Sequence, residues 1–321
     1  MTEDQKVLIL CTTPLQTVIA KEIILHEKIK DFFVIYYTRH NSQTDKLYYS
    51  EIAKNSKESK YVYVEKEKSG TLSQAKKSLD AIIFSRKNKY SRIYLASIDS
   101  LLFRKIIKYN QSSSIYTFDD GTANITPTSI YHLPEKDRKI IALRIFARIP
   151  SIEETKSRAS KHYTIYPEFK NILPKNKIIN IKIFQQEPKK NQKEKQELTI
   201  FIGQPFDEYL KKKSIDQIKA WLKKTKIDIY FKHPREKHPI TSKARITTLP
   251  QRLSEEEIFY LSKDFNVTII SAYSSVLFNI PNNIANKIYL CADDSQAEKH
   301  RCNLIKKTGA RILEINLGKK N

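Results

Sequence analysis

The chain has 321 residues, a length that suits two domains of about 150 residues each better than a single core. Hydrophobic residues make up 40% of it, which excludes a largely disordered protein. Lys and Arg number 58 against 35 Asp and Glu, so the net charge is +23. Such a charge favours a polyanionic partner such as nucleic acid, anionic lipid or a phosphorylated glycan, although solvated lysine-rich helices would also produce it.

The cysteines are Cys11, Cys291 and Cys302, and none forms a Cys-x-x-Cys pair. They predict reduced thiols and a cytoplasmic protein. The N-terminus lacks a basic segment followed by an apolar stretch, and no run of about 18 apolar residues occurs. We therefore expect neither a signal peptide nor a membrane span, and any membrane contact would be peripheral and electrostatic.

In the first half of the chain, short apolar runs alternate with amphipathic segments. The apolar runs predict strands at 7–11, 32–37, 61–64, 93–96 and 115–118. Helices are predicted at 14–27, 73–86 and 100–109. This alternation is typical of parallel β-α-β units.

The polar stretch 186–197 predicts a linker between a first domain, 1–185, and a second, 198–321. After it the alternation restarts. Strands are predicted at 198–202, 227–231, 267–270, 287–290 and 311–314, with helices at 208–224 and 254–261. Two α/β halves joined in this way suggest a ligand cleft between them, beyond the carboxyl ends of the strands.

The common nucleotide-binding and hydrolase motifs are absent. With only five glycines, the chain has no G-x-G-x-x-G, no G-x-x-x-x-G-K-[ST] and no G-x-S-x-G motif, and it has no cluster with zinc-ligand spacing. A nucleotide-sugar transferase on two Rossmann-like domains, the GT-B architecture, needs none of these.

The sequence from Lys232 to Arg235 contains a His-Pro pair directly after the predicted strand 227–231. Pro234 favours an extended backbone at His233. The two flanking cations suit a phosphate; they lower the imidazole pKa, whereas a bound phosphate raises it. A loop histidine without a role is the alternative.

Two acids followed by a glycine, Asp119, Asp120 and Gly121, follow the strand 115–118. Adjacent carboxylates at a strand end could bind a metal ion, position a sugar hydroxyl or act as a base. The alternative is an Asx-type turn that caps the next element.

In the second half, Gly203, Gln204 and Pro205 follow the strand 198–202, and Asp207 comes shortly after them. Asp207 is interpreted either as a helix N-cap or as a general base. Ser274 and Ser275 follow the strand 267–270 and precede an apolar segment. Hydroxyl and backbone N–H groups at a helix start suit an anion, and a serine N-cap would use the same geometry.

These four motifs, in this order, resemble the bacterial sialyltransferases of glycosyltransferase family 52, typified by the lipooligosaccharide sialyltransferases. The likeness covers most of the chain. Further segments similar to the family lie at 11–16, 93–97, 117–122, 162–166 and 170–172.

The resemblance implies a GT-B fold with two Rossmann-like domains facing a central cleft, the first on the acceptor side and the second binding CMP-sialic acid. It implies an inverting transfer without cofactor or metal, from CMP-Neu5Ac to a terminal galactose-type hydroxyl of a lipooligosaccharide or related glycan. A homodimer is implied too. The expected location is the cytoplasm, with peripheral contact at the inner face of the bacterial inner membrane.

The resemblance also implies residue roles in the second domain. His233 would face the CMP phosphate as acid or electrostatic stabiliser, and Asp207 would be the base. Glu256 would hold the ribose, with Glu257 as the competing choice. The other donor-side residues implied are Gly203, Gln204, Pro205, Lys232, Pro234, Ser274 and Ser275.

In the first domain, Asp120 remains a second candidate for the base, because other bacterial sialyltransferase families share the acid-acid-Gly motif more loosely. If Asp207 is the base, Asp120 would position the acceptor or shape the turn at Gly121, and Asp119 and Gly121 would lie on the acceptor side. Two other functions are alternatives to sialyl transfer. The first is transfer of another nucleotide-sugar by a family 52 protein. The second is nucleic-acid binding, but the sequence has no RNP, KH or zinc-finger signature.

Overall fold

A computed structural model describes most of the chain, and the chain divides into two compact units, Met1–Ile183 and Phe184–Asn321. Among the residues that the structure describes, each unit contains one sheet. The described residues are 6–65, 72–184, 195–208, 210–233, 235–236, 244–272, 274–292 and 295–315.

Within the described residues, the first unit holds a seven-stranded sheet whose neighbouring strands all run parallel. The strand order is β3-β2-β1-β4-β5-β6-β7, so the chain reverses direction across the sheet between β1 and β4. In doubly wound sheets, ligands bind beyond the carboxyl ends of the strands at such a switch point. The strands are β1 Val7–Cys11, β2 Phe32–Thr38, β3 Glu58–Tyr63, β4 Arg92–Leu95, β5 Ser114–Phe118, β6 Ala159–Thr164 and β7 Ile178–Asn180.

The five strands and three helices predicted in this unit are present, and the structure adds the strands β6 and β7 and three further helices. All five residues of β1 are buried, as expected for a parallel strand covered on both faces. Thr13 caps the first helix, and Pro14 occupies its first turn, where the missing N–H costs nothing. The helices are α1 Pro14–His26, α2 Gln43–Ala53, α3 Leu72–Phe84, α4 Leu101–Tyr109, α5 Arg138–Phe146 and α6 Ile152–Arg158.

The described part of the second unit repeats this plan with a six-stranded parallel sheet ordered β10-β9-β8-β11-β12-β13. Its switch point therefore lies between β8 and β11. The strands are β8 Gln196–Ile202, β9 Ile229–Phe231, β10 Ile246–Thr248, β11 Phe265–Ser271, β12 Ala285–Cys291 and β13 Arg311–Glu314. The helices are α7 Lys212–Lys224, α8 Ser254–Leu261, α9 Val276–Asn279 and α10 Gln296–Lys306.

Two predicted boundaries in the second unit need correction. Of the predicted linker 186–197, residues 186–194 lie outside the described residues, but Gln196 and Glu197 already belong to β8. They do so because β11 extends far enough to pair with them. The predicted helix 208–224 begins only at Lys212, after a separate 3₁₀ turn at Phe206–Glu208.

None of the described helices combines the length and the apolar character needed to cross a bilayer.

Candidate functional site

In the first unit, polar side chains that follow β1, β4 and β5 meet at the carboxylate of Asp120. Gln16 Nε2 donates to Asp120 Oδ1 at 2.5 Å, and Ser97 Oγ donates to Oδ2 at 3.2 Å. Tyr131 Oη also donates to Oδ2, at 2.5 Å, and Thr12 Oγ1 lies 2.8 Å from Ser97 Oγ. We call these five residues the Asp120 cluster. Because β1 and β4 flank the switch point, the cluster occupies the part of the sheet where a ligand is expected.

The surroundings of Asp120 favour its protonated form. Burial is the largest influence and raises the pKa of this carboxyl, and the charge of Asp99 raises it further. The hydrogen bonds from Tyr131, Gln16 and Ser97 lower it. The net result is a pKa above that of an ordinary aspartate. Asp120 therefore combines bound donors with a stronger affinity for a proton, which suits either a base or a group that orients a sugar hydroxyl.

The Asx-type alternative for this motif is wrong, because Asp120 stands at the cap of the 3₁₀ turn Gly121–Asn124 without a side-chain capping bond. Instead its backbone N–H donates to Asn124 Oδ1 at 2.6 Å. Gly121 has φ +55°, a left-handed backbone that favours glycine. The glycine of the motif thus sets the turn.

Asp119 is fully buried and has a different environment from its neighbour. Its Oδ1 lies 3.0 Å from His162 Nε2, and its Oδ2 accepts from Thr164 Oγ1 and from the Ile165 N–H, both at 2.7 Å. Asn171 Nδ2 donates to Oδ1 at 3.3 Å. The family-like segments 162–166 and 170–172 thus surround Asp119 and join β5 to β6. The predicted acceptor-side role of Asp119 stays a prediction, and no contact of its side chain supports it.

We expect Asp119→Asn to lower the free energy of unfolding by about 1–3 kcal/mol, because an amide nitrogen would replace one acceptor and leave a buried donor unsatisfied. The measurement is urea unfolding followed by circular dichroism. Asp264→Asn, the same chemical change at an exposed site, is the control. An unchanged midpoint for Asp119→Asn would contradict the structural role.

In the second unit, contacts join the loops that follow β8 and β9. Gly203 N donates to Phe231 O at 2.8 Å, and Arg235 Nη1 donates to Glu208 Oε2 at 2.7 Å. The loop that contains Asp207 is therefore connected to the loop that contains His233, at the carboxyl ends of two adjacent strands.

Position 203 needs glycine because the backbone is closely approached there. A Cβ would meet the Glu236 carboxylate, Tyr230 Oη at 2.9 Å and Phe231 O at 3.0 Å. Glu236 in turn accepts from the His233 N–H at 3.2 Å and from Tyr230 Oη. A larger residue at 203 would thus disturb the support of His233.

The ring of His233 is half-buried, and its hydrogen bond defines its tautomer. Nδ1 accepts from the Arg235 N–H at 3.1 Å, so in the neutral ring the proton resides on Nε2. Burial lowers the pKa of His233 below 6.5, as does the charge of Arg235, while Glu208 opposes them. At neutral pH the free protein therefore presents a neutral imidazole with one N–H to donate.

Asp207 lies in the 3₁₀ turn Phe206–Glu208, and its side chain is exposed. Its interpretation as a helix N-cap is wrong, because the cap of α7 is Lys211. No described residue forms a hydrogen bond or ion pair with its carboxylate, so both of its oxygens are available to a substrate hydroxyl.

Among the other predicted donor-side residues, Gly203, Pro205 and Ser274 are buried, and Gln204 and Lys232 are half-buried. Ser274 Oγ accepts from the Val276 N–H at 3.2 Å, so Ser274 supports the start of α9, whereas Ser275 makes no side-chain capping bond. Pro234 lies outside the described residues.

The acids of α8 have distinct environments. Both oxygens of Glu256 accept from Arg252 Nη1, at 3.0 and 3.1 Å. Glu255 is fully buried; Asn279 Nδ2 donates to it at 2.7 Å, and burial raises its pKa. Glu257 is half-buried. The carboxylate of Glu256 is thus held by Arg252, and its predicted contact with the ribose stays a prediction.

One group of described residues has the ligand types of a metal site: Cys291, Glu298 and Cys302, whose ligand atoms lie within 4.8 Å of one another. Arg301 and Tyr289 already donate to the Glu298 carboxylate. Burial raises the pKa of the Cys302 thiol to about 12, which favours the protonated form that does not bind metals.

The structure brings together Asp120 and its donors in the first unit, and the loops of Asp207 and His233 in the second. Sequence reasoning gave no role to Gln16, Ser97 or Tyr131. The first two lay in segments similar to the family, directly after strands at the switch point. Tyr131 follows no strand, so no local signal identified it.

The family described as glycosyltransferase family 52 matches residues 29–293. The N-acetyllactosaminide alpha-2,3-sialyltransferase of Haemophilus influenzae is 27% identical over 85% of this chain and 88% of its own. The CMP-N-acetylneuraminate:beta-galactoside alpha-2,3-sialyltransferase of Pasteurella multocida is 25% identical over 96% of this chain and 99% of its own.

A solved structure, the glycosyltransferase SnogD from Streptomyces nogalater, is similar with a TM-score of 0.54 and 10% identity, covering 98% of this chain and 88% of its own. At this identity the likeness concerns the fold alone. It confirms the predicted fold class, two parallel-sheet α/β domains of the GT-B type.

Proposed function

The chain belongs to glycosyltransferase family 52 and is a glycosyltransferase, and from this premise we propose that it transfers sialic acid from CMP-sialic acid to a galactose-type hydroxyl. The observation that carries the proposal is the likeness, over nearly the whole chain, to a relative named for that donor and for a β-galactoside acceptor. We propose a lipooligosaccharide or related surface glycan as acceptor, and an α2,3 linkage as in both relatives.

The proposed reaction is a single displacement with inversion. The acceptor oxygen attacks the anomeric carbon of sialic acid, the bond from that carbon to the phosphate oxygen breaks, and CMP leaves with the electron pair. The acceptor proton passes to a base on the face opposite the phosphate. We propose that this reaction needs no metal, so an excess of EDTA should leave the rate unchanged.

His233 is the group we propose to face the leaving phosphate. Its Nε2–H is the donor that the tautomer leaves available, and Lys232 and Arg235 add positive charge beside it. A phosphate is a good leaving group, so a hydrogen bond that strengthens as charge develops would lower the barrier. Binding of the phosphate would also raise the pKa of His233 from its lowered value and favour the cationic form.

Asp207 is the base we propose. Its exposed carboxylate has no partner among the described residues, and its loop is connected to that of His233 by the ion pair of Glu208 with Arg235. Asp120, whose oxygens already accept from Gln16, Ser97 and Tyr131, would then orient the acceptor.

Glu256→Gln should weaken CMP binding by about tenfold or more. A carboxylate accepting two ribose hydroxyls makes charge-assisted hydrogen bonds worth roughly 1.5–3 kcal/mol each, and an amide offers only one acceptor. Calorimetry with CMP measures the effect, and Glu257→Gln is the matched change one residue away. If only Glu257→Gln loses affinity, the ribose contact belongs to Glu257.

The experiment that tests the function is incubation with CMP-Neu5Ac and a lactose-type acceptor, with the product mass and linkage read by mass spectrometry and NMR. A sialylated product is expected. If CMP-Neu5Ac is unused while another nucleotide-sugar is consumed, the chain is a family 52 enzyme with a different donor.

We propose further that the enzyme acts as a homodimer in peripheral contact with anionic membrane at the inner face of the bacterial inner membrane, and that it binds no nucleic acid. The net charge of +23 supports attraction to anionic lipid. DNA binding that weakens with salt, in a protein without CMP affinity, would instead support a nucleic-acid-binding function.

A further inference from the structure

The hydroxyl of Tyr131 lies between two carboxyls of the first unit. Its oxygen is 2.5 Å from Asp120 Oδ2 and 3.0 Å from Asp99 Oδ1. Asp120 follows β5, and Asp99 lies between the adjacent strand β4 and helix α4. The side chain of Tyr131 is 1% exposed and belongs to the hydrophobic core, so its hydroxyl depends on these two carboxyls for its hydrogen bonds. We call Asp99, Tyr131 and Asp120 the bridged acid pair.

The number of protons decides how the bridged acid pair can be bonded. A phenol has one proton to donate, and its oxygen can also accept. If both carboxyls are ionised, one of the two contacts therefore brings two oxygens together without a proton between them. One additional proton removes this conflict, because a protonated Asp120 donates to Tyr131 while Tyr131 donates to Asp99. The reverse chain, from Asp99 through Tyr131 to Asp120, satisfies the same contacts.

The charged groups around the bridged acid pair do not neutralise it. Among the residues that the structure describes, no Lys, Arg or His forms an ion pair with either carboxyl. Arg104 contacts Asp99 at its main-chain oxygen, at 3.0 Å, and its guanidinium pairs with Glu135 at 2.8 Å. Burial, with a smaller contribution from the charge of Asp120, raises the pKa of the Cys11 thiol at the end of β1, so this thiol stays neutral. Like charges brought together without a cation disfavour the second ionisation.

The hydrogen bonds of Asp120 leave room for one more donor. Gln16 Nε2 donates to Oδ1 at 2.5 Å, and a carboxyl oxygen can accept twice, so Oδ1 can also accept from a sugar hydroxyl. Such a bond is stronger when the acceptor is ionised. Burial first, and then the charge of Asp99, raise the pKa of Asp120, so the acid form is favoured until a hydroxyl arrives. Asp120 would therefore have to change its charge to hold the hydroxyl well.

We propose that Asp99 and Asp120 share one proton through Tyr131, and that Asp99 and Tyr131 are positioning residues for the acceptor hydroxyl. In the free protein the shared proton lies on Asp120. When the sugar hydroxyl donates to Asp120, the Asp120 proton passes to the Tyr131 oxygen and the Tyr131 proton passes to Asp99. Two O–H bonds break and two form, and the net charge of the pair is unchanged. The inference rests on the acceptor role proposed for Asp120 and deepens it.

The first test is a titration of the free protein that contains aspartate labelled at the carboxyl carbon, followed by ¹³C NMR. Asp120→Asn and Asp99→Asn identify the two resonances of the pair. The Asp120 resonance should titrate at a higher pH than that of the exposed Asp264, and both resonances of the pair should move in two steps, as those of coupled sites do.

The two positioning residues should move this titration in opposite directions. Asp99→Asn should lower the midpoint of Asp120 by about one pH unit or more, because a neighbouring negative charge is removed. Tyr131→Phe keeps the ring in the core and should raise the midpoint, because the hydroxyl bond that favours the ionised form is lost. Tyr109→Phe, the same change at a residue that is 43% exposed, is the control and should leave the titration unchanged.

The second test is kinetic, with CMP-Neu5Ac and a lactose-type acceptor. Tyr131→Phe should raise the KM for the acceptor by about tenfold with kcat and the donor KM nearly unchanged, because Asp120 can no longer pass its proton to Asp99. Adding Asp99→Asn to Tyr131→Phe should restore most of the acceptor KM, because Asp120 then ionises without passing the proton on. A purely structural role of Tyr131 would give no such restoration.

The proposal is overturned if Asp120 titrates together with Asp264 in the unmodified protein, or if Asp99→Asn leaves its midpoint in place. It is equally overturned if the protein transfers sialic acid but Tyr131→Phe leaves the acceptor KM unchanged, or if Asp99→Asn does not restore it. The titration uses no substrate. A protein that titrates as expected but does not consume CMP-Neu5Ac therefore contradicts the proposed function and still supports the shared proton.

Discussion

His233→Ala is expected to lower kcat for sialyl transfer by about 10²–10³-fold, the loss that follows removal of one donor that stabilises transition-state charge. The expectation rests on the tautomer. The Arg235 N–H occupies Nδ1 at 3.1 Å, so Nε2 carries the proton that a leaving phosphate requires. The ring lies at the carboxyl end of β9, where alanine leaves β9 and its pairing with β8 and β10 unchanged.

The pH dependence of CMP binding provides a second readout for His233. Its pKa lies below 6.5 in the free protein, through burial first and the charge of Arg235 second. A bound phosphate raises this pKa, so CMP binding takes up a proton. The affinity for CMP should therefore increase as the pH falls from 7, level out below the pKa of the free protein, and be lost as the pH rises through the pKa of the complex. His233→Ala should remove this dependence.

His300→Ala is the matched control, since His300 is exposed on α10 of the same unit. It should change neither kcat nor the pH dependence. A folded His233→Ala protein with unchanged kcat would remove His233 from the mechanism, whatever its effect on CMP affinity.

The sequence predicted the strands that are buried through their own apolar residues and missed those that are held by polar partners. β1 was predicted at its exact bounds, because five consecutive apolar residues are buried. β6 was not predicted as a strand, because it contains polar residues such as His162 and Thr164, which are buried with their side chains bonded to Asp119. β10 was missed because it is a short edge strand, with two of its three residues exposed.

The same difference applies to the site. The positions of Asp120, Asp207 and His233 could be predicted, because each follows an apolar strand in a parallel sheet. Their environments could not. Asp119 is fully buried, whereas Asp120 is partly exposed. This difference depends on the segment 162–171, which contacts Asp119, and on Tyr131, which contacts Asp120, and both are distant in sequence. The start of α7 was placed too early, because the 3₁₀ turn at Phe206–Glu208 continues the helical pattern without joining the helix.

The comparison of Asp207→Asn with Asp120→Asn should identify the base. Asp207→Asn is expected to lower kcat by about 100-fold or more, the size of general-base catalysis, with CMP affinity nearly preserved. Asp120→Asn should mainly raise the KM for the acceptor, because its carboxylate is already bound by three donors and orients rather than deprotonates. The measurement is kcat with both KM values for each variant.

The pH profile distinguishes the two acids independently. Burial raises the pKa of Asp120, so a reaction that used it as the base would lose activity on the acid side at a higher pH than an ordinary aspartate would cause. If activity is lost at such a raised pH on the acid side of the profile, and if Asp120→Asn abolishes this pH dependence, the proton is transferred to Asp120 in the first unit. Asp120 is also the base if Asp120→Asn lowers kcat by about 100-fold while Asp207→Asn keeps most of its kcat. The exposed carboxylate of Asp207 would then not take the proton of the acceptor hydroxyl.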